Sequence, residues 1–99
     1  MRIRTEAIHF NADKKLLTHI EEKMQKLEHF FDRIVDAKVI LKLENTGQIK
    51  DKIVEIQLNV PRGRIFHKES AKTFENSLDA ALKAITRQLK KYKDRRRAA

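Results

Sequence analysis

The chain of 99 residues contains no cysteine, and it has only two glycines and one proline. Without cysteine it forms neither disulfide bonds nor thiolate-bound metal sites. So little glycine and proline leaves no segment with the composition of an interdomain linker. The length predicts one domain with a core large enough to fold without covalent cross-links.

Long apolar runs are also missing. No run approaches the ~20 residues that a membrane-spanning helix needs. Residues 1–10 alternate charged with apolar side chains, where a signal peptide would have an apolar stretch. We therefore expect a cytoplasmic protein with no membrane partner.

Motifs of catalysis and cofactor binding are absent. The sequence has no glycine-rich phosphate loop and no HExxH, and neither serine lies in a nucleophile-elbow context. The four histidines are scattered, and no two share the three- or four-residue spacing that places two metal ligands on one helix face. We expect no enzymatic activity, no metal and no cofactor.

Negative charge is in the minority. Twenty-three lysines and arginines stand against fourteen acidic residues, which gives a formal net charge of +9 and a pI near 10.0. This balance favours a nucleic-acid partner. Only Phe66 is a candidate for stacking on a base, so contacts to the RNA backbone should dominate.

Hydrophobic periodicity predicts five elements, and the turn at Pro61 and Gly63 predicts that the next run returns as an antiparallel strand. The resulting order is β-α-β-β-β-α. Asn11 and Asp13 are candidate N-caps of the first helix, Thr73 is the cap of the second, and Gly63 supplies the turn into the last strand. The predicted strands cover residues 2–8, 35–43, 54–60 and 65–70, the helices cover 13–31 and 74–97, and a long hairpin tip covers 44–51. This is an α+β fold in which a four-stranded sheet carries two helices on one face, as in double-stranded RNA-binding domains. We divide the chain into a domain of residues 1–94 and a basic tail of residues 95–99.

Positive charge is segregated on both helices. At 100° per residue, Lys15, His19, Lys23 and Lys26 fall on one flank of the apolar stripe of the first helix. Glu21, Glu28 and Asp32 fall toward the other flank. If the helices pack side by side, their basic flanks form one surface that continues into the tail. The residues of this predicted surface are Lys15, Lys23, Lys26, Lys83, Arg87, Lys90, Lys91, Arg95, Arg96 and Arg97.

Three segments carry a family resemblance. Residues 21–33 read EEKMQKLEHFFDR, residues 78–82 read LDAAL, and residues 87–93 read RQLKKYK. Together with the order of elements and the GRI turn at 63–65, they resemble the ribosome hibernation promoting factor family, also described as the ribosome-associated inhibitor or sigma-54 modulation family. The chain ends at residue 99, so it is similar to the short form, without a C-terminal dimerisation domain.

The resemblance implies that the protein binds the small ribosomal subunit, its 16S-type rRNA and its proteins, in the channel of the mRNA and the tRNA anticodon arms. Translation would be inhibited when growth stops, and the resemblance leaves open whether ribosomes pair into dimers or stay single. It also adds Arg33 and Lys93 to the predicted RNA contacts. The sequence departs from the family at His67 and Glu69, which must pair or lie at the sheet edge, and at residues 73–75.

Two alternatives stay open at this point. A sheet with two helices on one face also suits a general double-stranded RNA binder, which duplex RNA would displace from ribosomes. The basic tail also suits a protein-interaction module for an acidic partner. The latter predicts no association with RNA at all.

Overall fold

The computed structural model describes the backbone of residues 1–46 and 49–98, and the side chains of residues 1–44 and 51–95. The predicted order of elements is confirmed. The elements are β1 (Arg2–Ala7), α1 (Lys14–Phe30), β2 (Asp36–Thr46), β3 (Ile49–Val60), β4 (Gly63–Ala71) and α2 (Phe74–Ala98).

The sheet has the strand order β1-β2-β3-β4. β1 and β2 are parallel because α1 carries the chain back across the sheet between them, whereas the other neighbours are antiparallel hairpins. Both helices cover the same face, as predicted. We call the opposite face, which no described element covers, the open face.

Alternation along the strands determines which side chains form the core. Every second residue of β2 and β3 points to the helices, among them Val39, Leu41, Ile56 and Leu58, which are fully buried. The helices contribute Ile20, Met24, Leu27, Leu78, Ala81, Ile85 and Leu89.

Three apolar residues within the predicted ranges of the second strand and the first helix are exposed rather than buried in this core. Val35 is 59% exposed, Leu43 48% and Leu17 37%. Val35 precedes β2, which begins one residue later than predicted, and Leu43 lies beyond the part of β2 that carries the fully buried residues. Periodicity predicts correctly which face of a strand is apolar. It does not predict how far along the strand the helices cover that face.

The hairpin between β2 and β3 is longer than predicted, and its tip is shorter. The pattern placed residues 44–51 in the tip, but the ladder continues through Glu44↔Asp51 and Asn45↔Lys50 to Thr46↔Ile49. Residues 47 and 48 lie outside the described part of the chain. The prediction was wrong because the first residues of β3 lie past the core, where backbone pairing needs no apolar alternation.

Capping explains where the helices begin. Asp13 is the N-cap of α1, because its Oδ1 accepts a hydrogen bond from the backbone N–H of Leu16 at 2.7 Å. The predicted cap of α2 is confirmed, since the backbone N–H of Asn76 donates to Thr73 Oγ1 at 3.1 Å.

The turn from β3 to β4 places an arginine in the left-handed region. Arg62 has φ 65°, whereas the turn was assigned to the flexibility of Gly63. A Cβ added at Gly63 would make only ordinary contact, 3.6 Å from Val60 Cγ2. Arg62 therefore carries the backbone strain of this turn.

Both helices end at the same end of the sheet. The N-terminal ammonium group, at the start of β1, lies 2.6 Å from the carboxylate of Glu28 near the end of α1. Tyr92, near the end of α2, donates its hydroxyl to the carbonyl of Pro61 in the β3–β4 turn at 2.6 Å. At the other end, where both helices begin, the rings of Phe10 and Phe74 stack with 5.4 Å between centroids.

The two polar departures on β4 are paired with each other. His67 Nε2 lies 2.6 Å from Glu69 Oε2, and both side chains are about one-third exposed on the edge strand. In the described part of the chain, neither helix has an apolar stretch long enough to cross a membrane.

Candidate nucleic-acid interface

A groove between α1 and α2, which we call the inter-helix groove, has a volume of about 650 Å³. Its cations come from two helices, each at helical spacing: Lys23 and Lys26 from α1, and Lys83 and Arg87 from α2. Its remaining lining residues are Leu27, Phe30, Asp79, Leu82 and Thr86. The structure thus brings together four of the predicted contact residues around an apolar floor.

The four cations of the groove share it with the carboxylate of Asp79 but are not paired with it. Among the described side chains, no carboxylate forms an ion pair with any of them. The acidic flank of α1 points the other way, as Glu28 shows by its ion pair with the chain's N-terminus. Cations that crowd one groove without partners produce a positive potential that attracts a polyanion.

Further cations extend the groove along α2. Lys90 and Lys91 are exposed about one helical turn after Arg87, and Arg95 is exposed one turn later. α2 continues through Arg96 and Arg97 to Ala98, although the side chains of these last residues lie outside the described part. Cations in the last turns of a helix also interact favourably with its dipole. The division of the chain at residue 95 stays a prediction.

Arg33 and Lys93 lie outside the groove, at the C-terminal end of α1. Both line a second pocket of about 630 Å³ together with Phe30 and Phe31. Arg33 is exposed, but Lys93 is half-buried and its Nζ donates to the backbone carbonyl of Phe30 at 3.0 Å. The same ammonium group lies 4.7 Å from the centroid of the Phe30 ring. Lys93 thus joins the ends of the two helices, a role distinct from that of the open cations.

Two polar residues of the groove were not among the predicted contacts. Thr86 donates its hydroxyl to the carbonyl of Leu82 at 2.7 Å, so its donor is used within α2. Asp79 is exposed and adds one carboxylate to the cationic wall. Its spacing of four residues from Lys83 is the signal in the sequence that places Asp79 beside the basic flank.

Comparison with known proteins places this geometry in a family. A family model described as "Sigma 54 modulation protein / S30EA ribosomal protein" matches residues 3–97. A ribosome hibernation promoting factor from Klebsiella oxytoca is 34% identical over 76 residues, which are 77% of this chain and 76% of that protein. One from Pseudomonas putida is 28% identical over 98 residues, covering 99% and 92%.

A longer relative is the ribosome hibernation promotion factor of Deinococcus radiodurans. It is 36% identical over 78 residues, which are 78% of this chain but only 41% of that protein. This chain therefore corresponds to less than half of that relative.

Two solved structures have a similar fold. A ribosomal subunit interface protein from Coxiella burnetii aligns with a TM-score of 0.85 and 20% identity, covering 95% of this chain and 99% of its own. The N-terminal domain of Thermus thermophilus Protein Y aligns with a TM-score of 0.79 and 24% identity, covering 93% and 99%. Since the family model spans nearly all of its residues, the chain belongs to the sigma 54 modulation protein / S30EA ribosomal protein family.

Proposed function

We propose that this protein is a cytoplasmic ribosome hibernation factor that binds the small ribosomal subunit in the channel of the mRNA and the tRNA anticodon arms. The observation that carries the proposal is the inter-helix groove. Four cations from two helices face one space there, and none of them forms an ion pair with a described residue. Several relatives bear the name ribosome hibernation promoting factor, which supports the same partner.

Inhibition follows from occupancy and needs no chemical step. Cations of the groove and of the exposed stretch that follows it along α2 contact phosphates of 16S-type rRNA, and the rest of the domain fills space that mRNA and tRNA require. Phosphate contacts release condensed counterions, so binding weakens as salt rises. With about 6 to 10 phosphate contacts, affinity falls by roughly 10³ to 10⁵ between 50 and 200 mM salt.

Charge reversal in the groove tests this surface. We expect the double variant Lys83→Glu/Arg87→Glu to lose at least about tenfold in affinity for purified small subunits, because two phosphate contacts become repulsive. Sedimentation through sucrose gradients, with each fraction probed for the protein, measures the loss. The same gradients show whether occupied ribosomes stay single or form a heavier dimer peak.

A matched control is the double variant Lys14→Glu/Lys72→Glu. It changes the net charge equally, but both residues are exposed, lie at the opposite end of the helices and do not line the groove. Small-subunit binding by a folded groove variant that equals binding by this control would refute the proposed surface.

A general affinity for double-stranded RNA is the second candidate, and the observation that favours it is the same groove on a sheet with two helices on one face. Excess duplex RNA would then displace the protein from ribosomes. A site-specific ligand of the small subunit stays bound.

Protein left at the top of the gradient at low and at moderate salt would instead favour an acidic protein partner.

A further inference from the structure

The open face of the sheet carries a second basic patch, distant from the groove. Alternation along β1 directs Arg2 and Arg4 away from the helices, and both are exposed. Lys38 on β2 and Arg64 on β4 share this face, because the residues that follow each of them, Val39 and Ile65, are buried in the core.

The strand register gathers these cations into two adjacent rows. One row crosses the sheet as Arg2, Asp36, Asn59 and Arg64, and the next crosses it as Arg4, Lys38, Gln57 and Phe66. The rows lie about 7 Å apart along the strands and extend about 14 Å across the four strands. Four cations, one carboxylate and one aromatic ring therefore share a surface of a few nucleotides' size.

Most of this charge is available to a ligand. In the described part of the molecule, Arg2, Arg4 and Arg64 form no ion pair, and Lys38 has only a solvent-exposed pair with Glu6 at 3.4 Å. Such an exposed pair contributes little. The carboxylate of Asp36 already accepts a hydrogen bond from Asn59 Nδ2, and Asn59 Oδ1 accepts one from Arg64 Nε at 3.3 Å.

An exposed aromatic ring stands beside these cations. Phe66 is 46% exposed on the edge strand, and its neighbours on this face, Gln57 across the ladder and Arg64 and Lys68 along the strand, are polar or charged. The backbone at this point is fixed, because Gln88 Nε2 of α2 donates to the carbonyl of Phe66 at 3.2 Å. A ring held in solvent on a rigid strand is a platform on which a base can stack.

A depression in the face adds polar groups between the cations. It has a volume of about 330 Å³ and is lined by Arg2, Arg4, Asp36, Ala37, Lys38, Gln57 and Asn59. The amide group of Gln57 offers a hydrogen-bond donor and an acceptor that suit the edge of a base. The cations around them suit its phosphates.

We propose that this open-face patch, defined as Arg2, Arg4, Lys38, Arg64 and Phe66, binds single-stranded RNA, with one base stacked on Phe66 and phosphates on the basic side chains. A single strand fits better than a duplex, because only an unpaired base leaves its face free for an aromatic ring. The patch and the inter-helix groove lie on opposite sides of the sheet. One molecule can therefore hold structured RNA with its helices and a free strand with its sheet.

The test measures binding of a fluorescein-labelled ten-nucleotide oligouridylate, which has no secondary structure, to the full chain by fluorescence anisotropy. We expect Phe66→Leu to weaken binding about 5- to 150-fold, since stacking contributes about 1–3 kcal/mol per base. Arg4→Glu/Arg64→Glu should weaken it at least about tenfold. The affinity of the charge-matched control Lys14→Glu/Lys72→Glu should stay within about threefold of that of the unchanged protein. Neither residue belongs to the open-face patch, and salt screens charges that are distant from the bound strand. Circular dichroism confirms that each variant is folded.

The single-strand proposal does not rest on the proposed ribosomal function. Different variants and different measurements test the two, so that either can be refuted alone. The groove variant Lys83→Glu/Arg87→Glu reports on ribosome sedimentation, whereas Phe66→Leu reports on the oligonucleotide. Oligouridylate binding that Phe66→Leu leaves unchanged would overturn the single-strand proposal, even if the arginine variant binds less tightly. Binding that only the groove variant abolishes, or no binding by the unchanged protein, would overturn it too.

Discussion

At the scale of single residues, Lys93 behaves unlike its exposed neighbours on α2. Its ammonium group donates to the carbonyl of Phe30, 63 residues earlier in the chain, and lies over the ring of the same residue. Lys91, two positions before it, is exposed. The sequence shows two equivalent lysines in a basic run. Only Lys93 lies close to the end of α1, and no local sequence pattern predicts this position.

Lys93→Met tests this difference, because methionine keeps most of the aliphatic stem and removes the charged donor. We expect the free energy of unfolding to fall by about 1–2 kcal/mol, since a hydrogen bond from a charged group and a cation–π contact are lost. Guanidinium denaturation measures it. The control Lys91→Met should change stability by less than about 0.5 kcal/mol. Equal stability of the two variants would contradict the joining role of Lys93.

At the scale of elements, the sequence predicted the kind and order of all six. Five have a clear period of two or of 3.6 residues, and the turn at Pro61 and Gly63 predicted the last strand. The prediction of bounds failed where backbone pairing extends past the core, as in the first residues of β3. The prediction of a helix cap stayed open where two residues could both serve as the N-cap. Asn11 and Asp13 are both good N-caps. The sequence alone could not choose between them, whereas the hydrogen bond from Leu16 N–H to Asp13 Oδ1 does.

Asp13→Ala should lower the free energy of unfolding by about 1 kcal/mol, because the backbone N–H of Leu16 loses its acceptor at the start of α1. Thermal denaturation followed by circular dichroism measures the change. Asn11→Ala, the competing cap, should stay within about 0.5 kcal/mol of the unchanged protein. The reverse order of the two variants would show that α1 begins earlier than the structure places it.

At the scale of the whole molecule, both basic surfaces follow from the direction of the chain across one sheet. The helices run side by side toward one end, so their basic flanks meet in the groove, which the sequence predicted from helical spacing. The open-face patch was not predicted, because its cations come from three strands that are separated in the sequence by about 30 residues each and meet only through register. Of this patch, the sequence predicts only Phe66, as the one candidate aromatic for stacking on a base.

The absence of cysteine makes one direct measurement clean, since a single introduced cysteine is the only thiol to label. Glu22 is exposed one helical turn before Lys26, a residue that lines the groove. Fe(II)-EDTA attached to Glu22→Cys generates hydroxyl radicals that cleave nearby rRNA when the protein is bound to ribosomes. Lys14→Cys, about two helical turns earlier at the start of α1, is the matched control.

We predict cleavage of small-subunit rRNA around the mRNA and tRNA anticodon sites from Glu22→Cys, with a different or weaker pattern from Lys14→Cys. Cleavage confined to large-subunit rRNA, or to small-subunit rRNA remote from that channel, would contradict the proposed binding site.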